Sequence, residues 1–150
     1  MTSWTDRLDA LGGGATELPL VNRTLRMGAL TRWEPGYVLK EWPLDRDLLS
    51  PGGILYGGYV GVLADQLFTF TAMTVLADYE TMRTADMQIW FYRPIDAGPL
   101  KIEGRLLNRS ARQLHVDVTF ALPDGMLAAR AAGTMAVHIV EWALDREGGS

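Results

Sequence analysis

The segment from Gly52 to Phe70, GGILYGGYVGVLADQLFTF, constrains the fold more than any other part of the chain. It is apolar, it is long enough for a helix, and it contains one carboxylate, Asp65. A membrane span over 59–77 would have to bury Asp65, Gln66 and three threonines. A central Asp alone costs roughly 2.5–3.5 kcal/mol on insertion scales. We therefore expect a buried helix over about 57–78 and no membrane segment.

Strand patterns dominate the rest of the sequence. Residues 3–11 predict a short helix with Ser3 as N-cap, followed by a glycine linker to residue 14. Residues 22–44 are rich in β-formers around the turn at 34–36. Four strands then form a predicted meander: 84–94, 100–109, 114–122 and 126–140. The fold class is α+β, an antiparallel sheet around one central helix, in one domain of residues 1–150 with a flexible tail at 141–150.

Composition excludes several classes of function. The chain has no cysteine, which removes disulfides, thiolate metal sites and a cysteine nucleophile. Its net charge of −4 argues against general nucleic-acid binding. No serine lies in a G-x-S-x-G elbow, and no phosphate-binding or dinucleotide fingerprint is present. His115 and His138 stand alone, so no metal site is expected. The N-terminus lacks a signal-peptide pattern, and we expect a cytoplasmic protein.

Two glycines at the start of the predicted helix indicate a possible anion site. The first amides of a helix have no internal acceptor, and the helix dipole makes that end electropositive. Without side chains, Gly57 and Gly58 would let a ligand oxygen approach those amides closely. Such a helix end can polarise a carbonyl, although the same glycines could simply permit the turn into the helix.

The carboxylate of Asp65 admits a catalytic and a structural interpretation. A carboxylate in an apolar setting holds its proton to higher pH, which suits a general base or nucleophile; a structural Asp would bond a neighbour such as Thr69. Eight residues separate Gly57 from Asp65, or about 12 Å of helix axis. Groups that act on one carbonyl must lie within roughly 3–3.5 Å of it. The two residues therefore fit one reaction mainly when they come from two copies of the chain.

These residues resemble the hotdog-fold thioesterases of the phenylacetic-acid-degradation (PaaI-like) type. The family motif, H-G-G followed by a helix with L-A-D, is matched by Tyr56-Gly57-Gly58 and Leu63-Ala64-Asp65. TADMQIWFYRP (84–94) and DGMLAARAAGT (124–134) resemble two further family strands. The resemblance implies a long helix wrapped by an antiparallel sheet, and dimers or tetramers with shared active sites. It also implies hydrolysis of acyl-CoA, with coenzyme A as part of the substrate and no cofactor.

The resemblance also assigns roles to individual residues. Asp65 would be the catalytic carboxylate, activating water or attacking the thioester, and the Gly57 amide, with Gly58, would polarise the carbonyl. Thr84 stands where relatives have a hydroxyl that orients water or the carboxylate. Guanidinium groups suit phosphates, and the candidates for binding coenzyme A phosphates are Arg93, Arg109 and Arg112.

Two positions depart from the family pattern. Tyr56 replaces the usual histidine, and Ser50 stands where some relatives have an asparagine near the carboxylate. A tyrosine hydroxyl can donate a hydrogen bond to a carbonyl, but it does not transfer protons readily near neutral pH. The alternative function is therefore a non-catalytic module that binds acyl-CoA or another small ligand. A hydratase or dehydratase is the third alternative, and it would need His115 or His138 near Asp65.

Overall fold

The computed structural model describes residues 3–12 and 18–140. The helices are α1 (Trp4–Leu11), α2 (Leu20–Thr24) and α3 (Gly57–Met73), with a 3-10 turn at Arg46–Leu48. The strands are β1 (Arg32–Glu34), β2 (Tyr37–Trp42), β3 (Glu80–Phe91), β4 (Leu100–Arg109), β5 (Gln113–Ala121) and β6 (Leu127–Ile139). The predicted linker at 13–14 and tail at 141–150 lie outside the described residues.

All six strands form one antiparallel sheet in the order β1-β2-β4-β5-β6-β3. The predicted α+β class and the antiparallel sheet with one long helix are confirmed. The predicted four-strand meander is wrong, because β3 pairs with β6 rather than with β4. Residues 92–99 between β3 and β4 are not a tight turn, and this connection carries the chain past β6 and β5 to β4.

Helix α3 lies close against the sheet because glycines stand beneath it. A Cβ at Gly133 would come within 2.7 Å of the Phe68 ring, and one at Gly104 would overlap the Thr71 hydroxyl, with Leu67 Cδ1 at 3.6 Å. Phe68 and Leu67 are fully buried. The helix ends at Met73 instead of the predicted residue 78. There the Thr74 hydroxyl donates to the Thr71 carbonyl (2.6 Å) and accepts from the Gly36 amide (2.9 Å), so the chain turns towards β3.

The inner face of the sheet follows the sequence pattern closely. Strand β5 buries every second side chain, as its alternation predicts: Leu114, Val116, Val118 and Phe120. The turn at 123–125 joins β5 to β6 with Gly125 at a φ of 85°, a conformation that favours glycine. These strands and α3 enclose a single hydrophobic core.

Strand β3 differs from its prediction as a largely buried strand. It lies at the edge of the sheet, and most of its side chains are exposed. Met87, Trp90 and Phe91 are among the large apolar side chains left open to solvent. The apolar residues of its second half stay largely exposed at this edge, although α3 packs against one side of the strand.

The N-terminal region is partly as predicted. Helix α1 forms with Ser3 as N-cap, and the Trp4 indole donates to the Glu80 carbonyl at 2.9 Å. The β-rich interpretation of residues 22–44 is wrong at its start, where α2 forms instead. In β2, Lys40 is fully buried and donates to the carbonyls of Gly28 (3.0 Å) and Ala29 (2.8 Å). Burial lowers the pKa of Lys40 to about 8.

Candidate active site

The start of α3 presents two free amides. Within the described residues, the backbone N–H groups of Gly57 and Gly58 have no hydrogen-bond partner, while the Tyr56 carbonyl accepts from Tyr59 at 3.0 Å. The Tyr56 side chain does not cap the helix and is 60% exposed. A Cβ at Gly58 would meet nothing within 4 Å. This helix end can therefore accept an oxygen ligand from solvent.

One face of α3, with small residues four apart, packs against β3. A Cβ at Gly57 would lie 3.0 Å from the Phe91 ring, and one at Gly61 would lie 3.4 Å from Ile89 Cδ1. One further turn along, Asp65 meets Thr84. Helix and strand thus run side by side in opposite directions, and the glycines permit their close approach.

Asp65 and Thr84 form a direct pair. The Thr84 hydroxyl donates to Asp65 Oδ1, and it also lies 3.5 Å from the Met135 sulfur. The pairing of β3 with β6 is irregular between Thr84 and Asp86, which marks a β-bulge next to this contact. Asp65 is exposed in the chain, so the expectation of an apolar, buried carboxylate is wrong for the isolated protomer. The interpretation of Asp65 as bonded to Thr69 is also not supported.

Two clefts flank this face of the helix. The first, here called the helix-start cleft, has a volume of about 400 Å³ and is lined by Gly57, Phe91 and Arg93 among others. The second, here called the α2 cleft, has a volume of about 380 Å³ and lies between α2 and α3, with Asp65 in its wall. The start of α3 and the Asp65 carboxylate therefore open into different clefts of the same chain.

A family model described as the thioesterase superfamily matches residues 52–129, which include the helix start, Asp65 and Thr84. The chain belongs to the thioesterase superfamily. A protein of Saccharolobus solfataricus named "Putative esterase SSO2140" is 32% identical over 67% of this chain and 71% of that protein.

Solved structures place this superfamily member in the hotdog fold. A phenylacetic acid degradation-related protein from Ralstonia eutropha is 25% identical, with a TM-score of 0.76 over 90% of this chain and 99% of that chain. A Streptococcus mutans protein solved with acetyl-CoA is also 25% identical, with a TM-score of 0.68 over 74% of this chain and 88% of that chain. No helix among the described residues is long and apolar enough to cross a membrane.

The remaining predicted residues of this thioesterase-superfamily protein are scattered. The Ser50 hydroxyl accepts from the Ile54 amide at 3.3 Å and so stabilises a local turn. Arg93 lines the helix-start cleft. Arg109 donates to the Val75 carbonyl and to Glu80 Oε1 (2.6 Å), which favours a structural role. Arg112 is exposed in the turn before β5.

The two histidines do not join this site. The His138 ring accepts from Arg83 Nε at 3.2 Å on the sheet, and His115 is half-buried on β5. Among the described residues, neither histidine forms a hydrogen bond with Asp65, whose partner is Thr84. The same residues contain no group of three His, Cys, Asp or Glu side chains that could hold a metal ion.

Contacts from α3 hold the α2 wall of the second cleft in place. The Tyr59 hydroxyl donates to the carbonyls of Leu25 (2.7 Å) and Arg26 (3.1 Å). Burial raises the pKa of Tyr59 to about 12, so this donor keeps its proton at physiological pH. Arg26, two residues beyond the end of α2, has a φ of 56° and pairs with Asp45 (3.1 Å) and Asp47 (2.8 Å).

The α2 cleft contains two residues that the sequence did not single out. Asn22 and Gln66 are buried, with exposed fractions of 6% and 8%. Asn22 Nδ2 and both amide atoms of Gln66 have no hydrogen-bond partner in the described part of the chain. Gln66 follows Asp65 directly, which is a sequence signal, whereas Asn22 gave none because α2 was not predicted.

Proposed function

We propose that this protein is a PaaI-like acyl-CoA thioesterase that works as a homodimer, in which Asp65 of one protomer and the Gly57 amide of the other act on one thioester. The observation that carries the proposal is the Asp65–Thr84 pair on the helix face that begins with the free Gly57 amide. Superfamily membership supports a thioester hydrolase. The acetyl-CoA bound to the Streptococcus mutans protein supports coenzyme A recognition.

The edge strand supports the shared site. Strand β3 is long, and on one side it has no strand partner within the described chain, with Met87, Trp90 and Phe91 exposed along it. Open edges of this kind pair readily with another strand. A two-fold axis near residues 87–88 would set Phe91 of one protomer beside Thr84 of the other. Because Phe91 packs on Gly57 and Thr84 bonds Asp65, the two functional groups would then meet across the axis.

Thioester hydrolysis at this site needs one proton acceptor and one hydrogen-bond donor that stabilises the oxyanion. As general base, Asp65 removes a proton from water, whose oxygen bonds to the thioester carbon while the carbonyl electrons move to oxygen. The Gly57 amide, with Gly58 beside it, stabilises that oxyanion. Collapse of this tetrahedral intermediate breaks the carbon–sulfur bond. The coenzyme A thiolate then takes the proton that Asp65 removed from water, which gives a free acid and coenzyme A. In the alternative route, Asp65 attacks the carbon itself and the coenzyme A thiolate leaves as the carbon–sulfur bond breaks. Water then hydrolyses the resulting anhydride to the free acid and the Asp65 carboxylate, and its proton goes to the thiolate.

Other residues have supporting roles in the proposal. Thr84 fixes the orientation of the Asp65 carboxylate through Oδ1, and within the described residues Oδ2 has no partner and can act on the substrate. Tyr56, exposed at the helix start, can donate a hydrogen bond to the substrate carbonyl, and Ser50 shapes the loop before it. Arg93, in the helix-start cleft, is the best-placed candidate for a coenzyme A phosphate, and Arg112 is the second. The enzyme is proposed to act in the cytoplasm, as a dimer or a dimer of dimers.

A hydrolysis panel tests the function. Release of coenzyme A is measured for short, long and aromatic acyl-CoAs with the wild type, Asp65→Asn and the control Asp78→Asn, which changes an exposed loop carboxylate. We expect turnover by the wild type and the control, and a loss in kcat of roughly 10²–10⁴-fold for Asp65→Asn. Wild-type activity in Asp65→Asn would refute the mechanism.

The replacement of histidine by Tyr56 favours a second candidate function, a non-catalytic acyl-CoA binder. The same panel separates the two when it is combined with calorimetry. Saturable binding of acyl-CoA without turnover by the wild type would establish the binder and exclude the enzyme.

A further inference from the structure

Residues 25–29, here called the strap, connect α2 to the sheet and are held by side chains of β2 and α3. The first two carbonyls of the strap accept from the Tyr59 hydroxyl (2.7 and 3.1 Å), and the second also accepts from the Trp42 indole (3.1 Å). The last two carbonyls accept from the Lys40 ammonium (3.0 and 2.8 Å). Four of the five strap carbonyls are therefore fixed by three side chains.

Helix α2 depends on the strap for its position. The helix has five residues, its N-cap makes no side-chain hydrogen bond, and Asn22 is its one buried residue. The strap amides donate back to α2, as from Met27 to the Asn22 carbonyl at 2.9 Å. The strap residues Leu25 and Met27 also line the α2 cleft, which has Asp65 in its wall. Whatever holds the strap therefore holds this wall of the cleft.

Lysine is an unfavourable residue at this position of β2. Lys40 is fully buried, and its ammonium bonds two neutral carbonyls instead of a carboxylate. Burial lowers the pKa of Lys40 to about 8, because the charged form loses its hydration. Fully buried lysines are rare unless they are paired, and an apolar side chain of similar length would avoid the desolvation. The contacts of Lys40 therefore favour a role in holding the strap over a role in stabilising the core.

We propose that Lys40 is a positioning residue of the proposed active site, which holds the strap and thereby keeps the α2 wall in contact with long acyl groups bound beside Asp65. Trp42 and Tyr59, whose rings pack with centroids 5.4 Å apart, share this role. None of the three is among the described lining residues of the α2 cleft, so they act through the strap. This inference rests on the proposed thioesterase function and deepens it, because it names residues that decide how the wall meets the substrate.

Hydrogen–deuterium exchange tests the positioning role without any reference to activity. Lys40→Met removes the ammonium and keeps the stem, and Tyr59→Phe removes one hydroxyl. The controls Lys101→Met and Tyr79→Phe make the same changes at exposed positions. We expect the amides of residues 25–27 to exchange roughly 3- to 10-fold faster in both strap variants, with β6 unchanged, and to keep their wild-type rates in both controls. Wild-type exchange of these amides in Lys40→Met would overturn the inference.

Steady-state kinetics then relates the position of the wall to the choice of substrate. The shortest and the longest straight-chain acyl-CoAs that the wild type hydrolyses are compared. We expect Lys40→Met to raise KM for the longest by roughly 3- to 10-fold at an unchanged kcat, and to leave both constants for the shortest as in the wild type. Tyr59→Phe, a milder change to the fold, should act in the same direction, and the two controls should match the wild type.

A purely structural role predicts a different kinetic result. Lys40→Met would then lower kcat/KM for both acyl-CoAs by the same factor, or change neither, and either outcome would overturn the inference. Exchange is measured on the free protein, so failure of the proposed function is seen separately. A wild type that binds both acyl-CoAs without turnover would reject the enzyme, and the same comparison is then made with Kd from calorimetry in place of KM.

Discussion

A complementation experiment tests the shared active site most directly. In one chain, Gly57 and Asp65 are eight residues apart on α3, or about 12 Å along the axis. Both must act within roughly 3–3.5 Å of the reacting carbonyl. One chain can therefore supply one of the two groups to a given thioester, and the partner must supply the other.

Two variants remove one group each with little damage to the fold. Asp65→Asn removes the base. Gly57→Pro deletes the amide hydrogen at the first position of α3, where proline is well tolerated, and Tyr56 already has the extended conformation that a following proline requires (ψ 137°). The exposed Phe91 ring must shift to admit the proline. Each homodimer should lose at least roughly 10²-fold in kcat.

Heterodimers then distinguish a shared site from a site within one chain. Chains with two different affinity tags are co-expressed, and the heterodimer is isolated by successive purification on both tags. A heterodimer of Asp65→Asn with Gly57→Pro has one intact shared site of two, so it should show about half of the wild-type kcat per dimer. The matched heterodimer, wild type with the double variant Gly57→Pro/Asp65→Asn, has no intact shared site and should be inactive.

A site contained in one chain predicts the reverse. The first heterodimer would then be inactive and the second would retain about half of the activity. That pattern would refute both the distance argument and the proposed edge-to-edge dimer.

Further predictions concern the carboxylate, the core and a buried cation. Thr84→Val should lower kcat roughly tenfold or more with little change in KM, while Thr84→Ser retains activity; equal kcat for both variants would contradict an orienting role. Gly133→Ala forces a methyl group into the buried Phe68 ring and should lower the free energy of unfolding by about 1–3 kcal/mol in urea titrations, whereas Gly58→Ala, in open space, should not. The pKa of Lys40 is lowered to about 8, below its value in the unfolded chain, so the unfolded state binds more protons above pH 8 and stability should rise with pH. Between pH 8 and 9.5 the rise should be about 1.5 kcal/mol, measured by urea denaturation, and Lys40→Met should lack it.

Local patterns predicted much of this fold. The alternation in 114–122 and the apolar run around Asp65 identified β5 and α3, because both are set by side chains near in sequence. The resemblance to the hotdog family supplied the pairing of Thr84 with Asp65, which no spacing rule could give. The place of β3 at the edge, beside β6, depends on a crossing connection and is a non-local property.

The candidate site was predictable only in part. Helix α2 has five residues, too few to show a helical period, so its role as a cleft wall was not foreseen. Asn22 Nδ2 and the Gln66 amide lack partners within the described part of the chain, and this is a property of tertiary packing that the sequence does not reveal. Asp65 lies in an apolar sequence but is exposed in the protomer, because its neighbours on the helix are small and the adjacent strand is an edge.

The bulge between Thr84 and Asp86 decides which way the two halves of β3 point. In a regular strand, residues of odd and even number face opposite sides, so Thr84 and Phe91 could not both meet α3. Here Thr84 contacts Asp65, while Met87, Ile89 and Phe91 approach the glycines of the same helix. The one extra residue reverses the phase between the two halves. Removal of Ala85 would therefore turn either the hydroxyl partner of Asp65 or the packing surface of Gly57 and Gly61 outwards, although every one of those residues would remain.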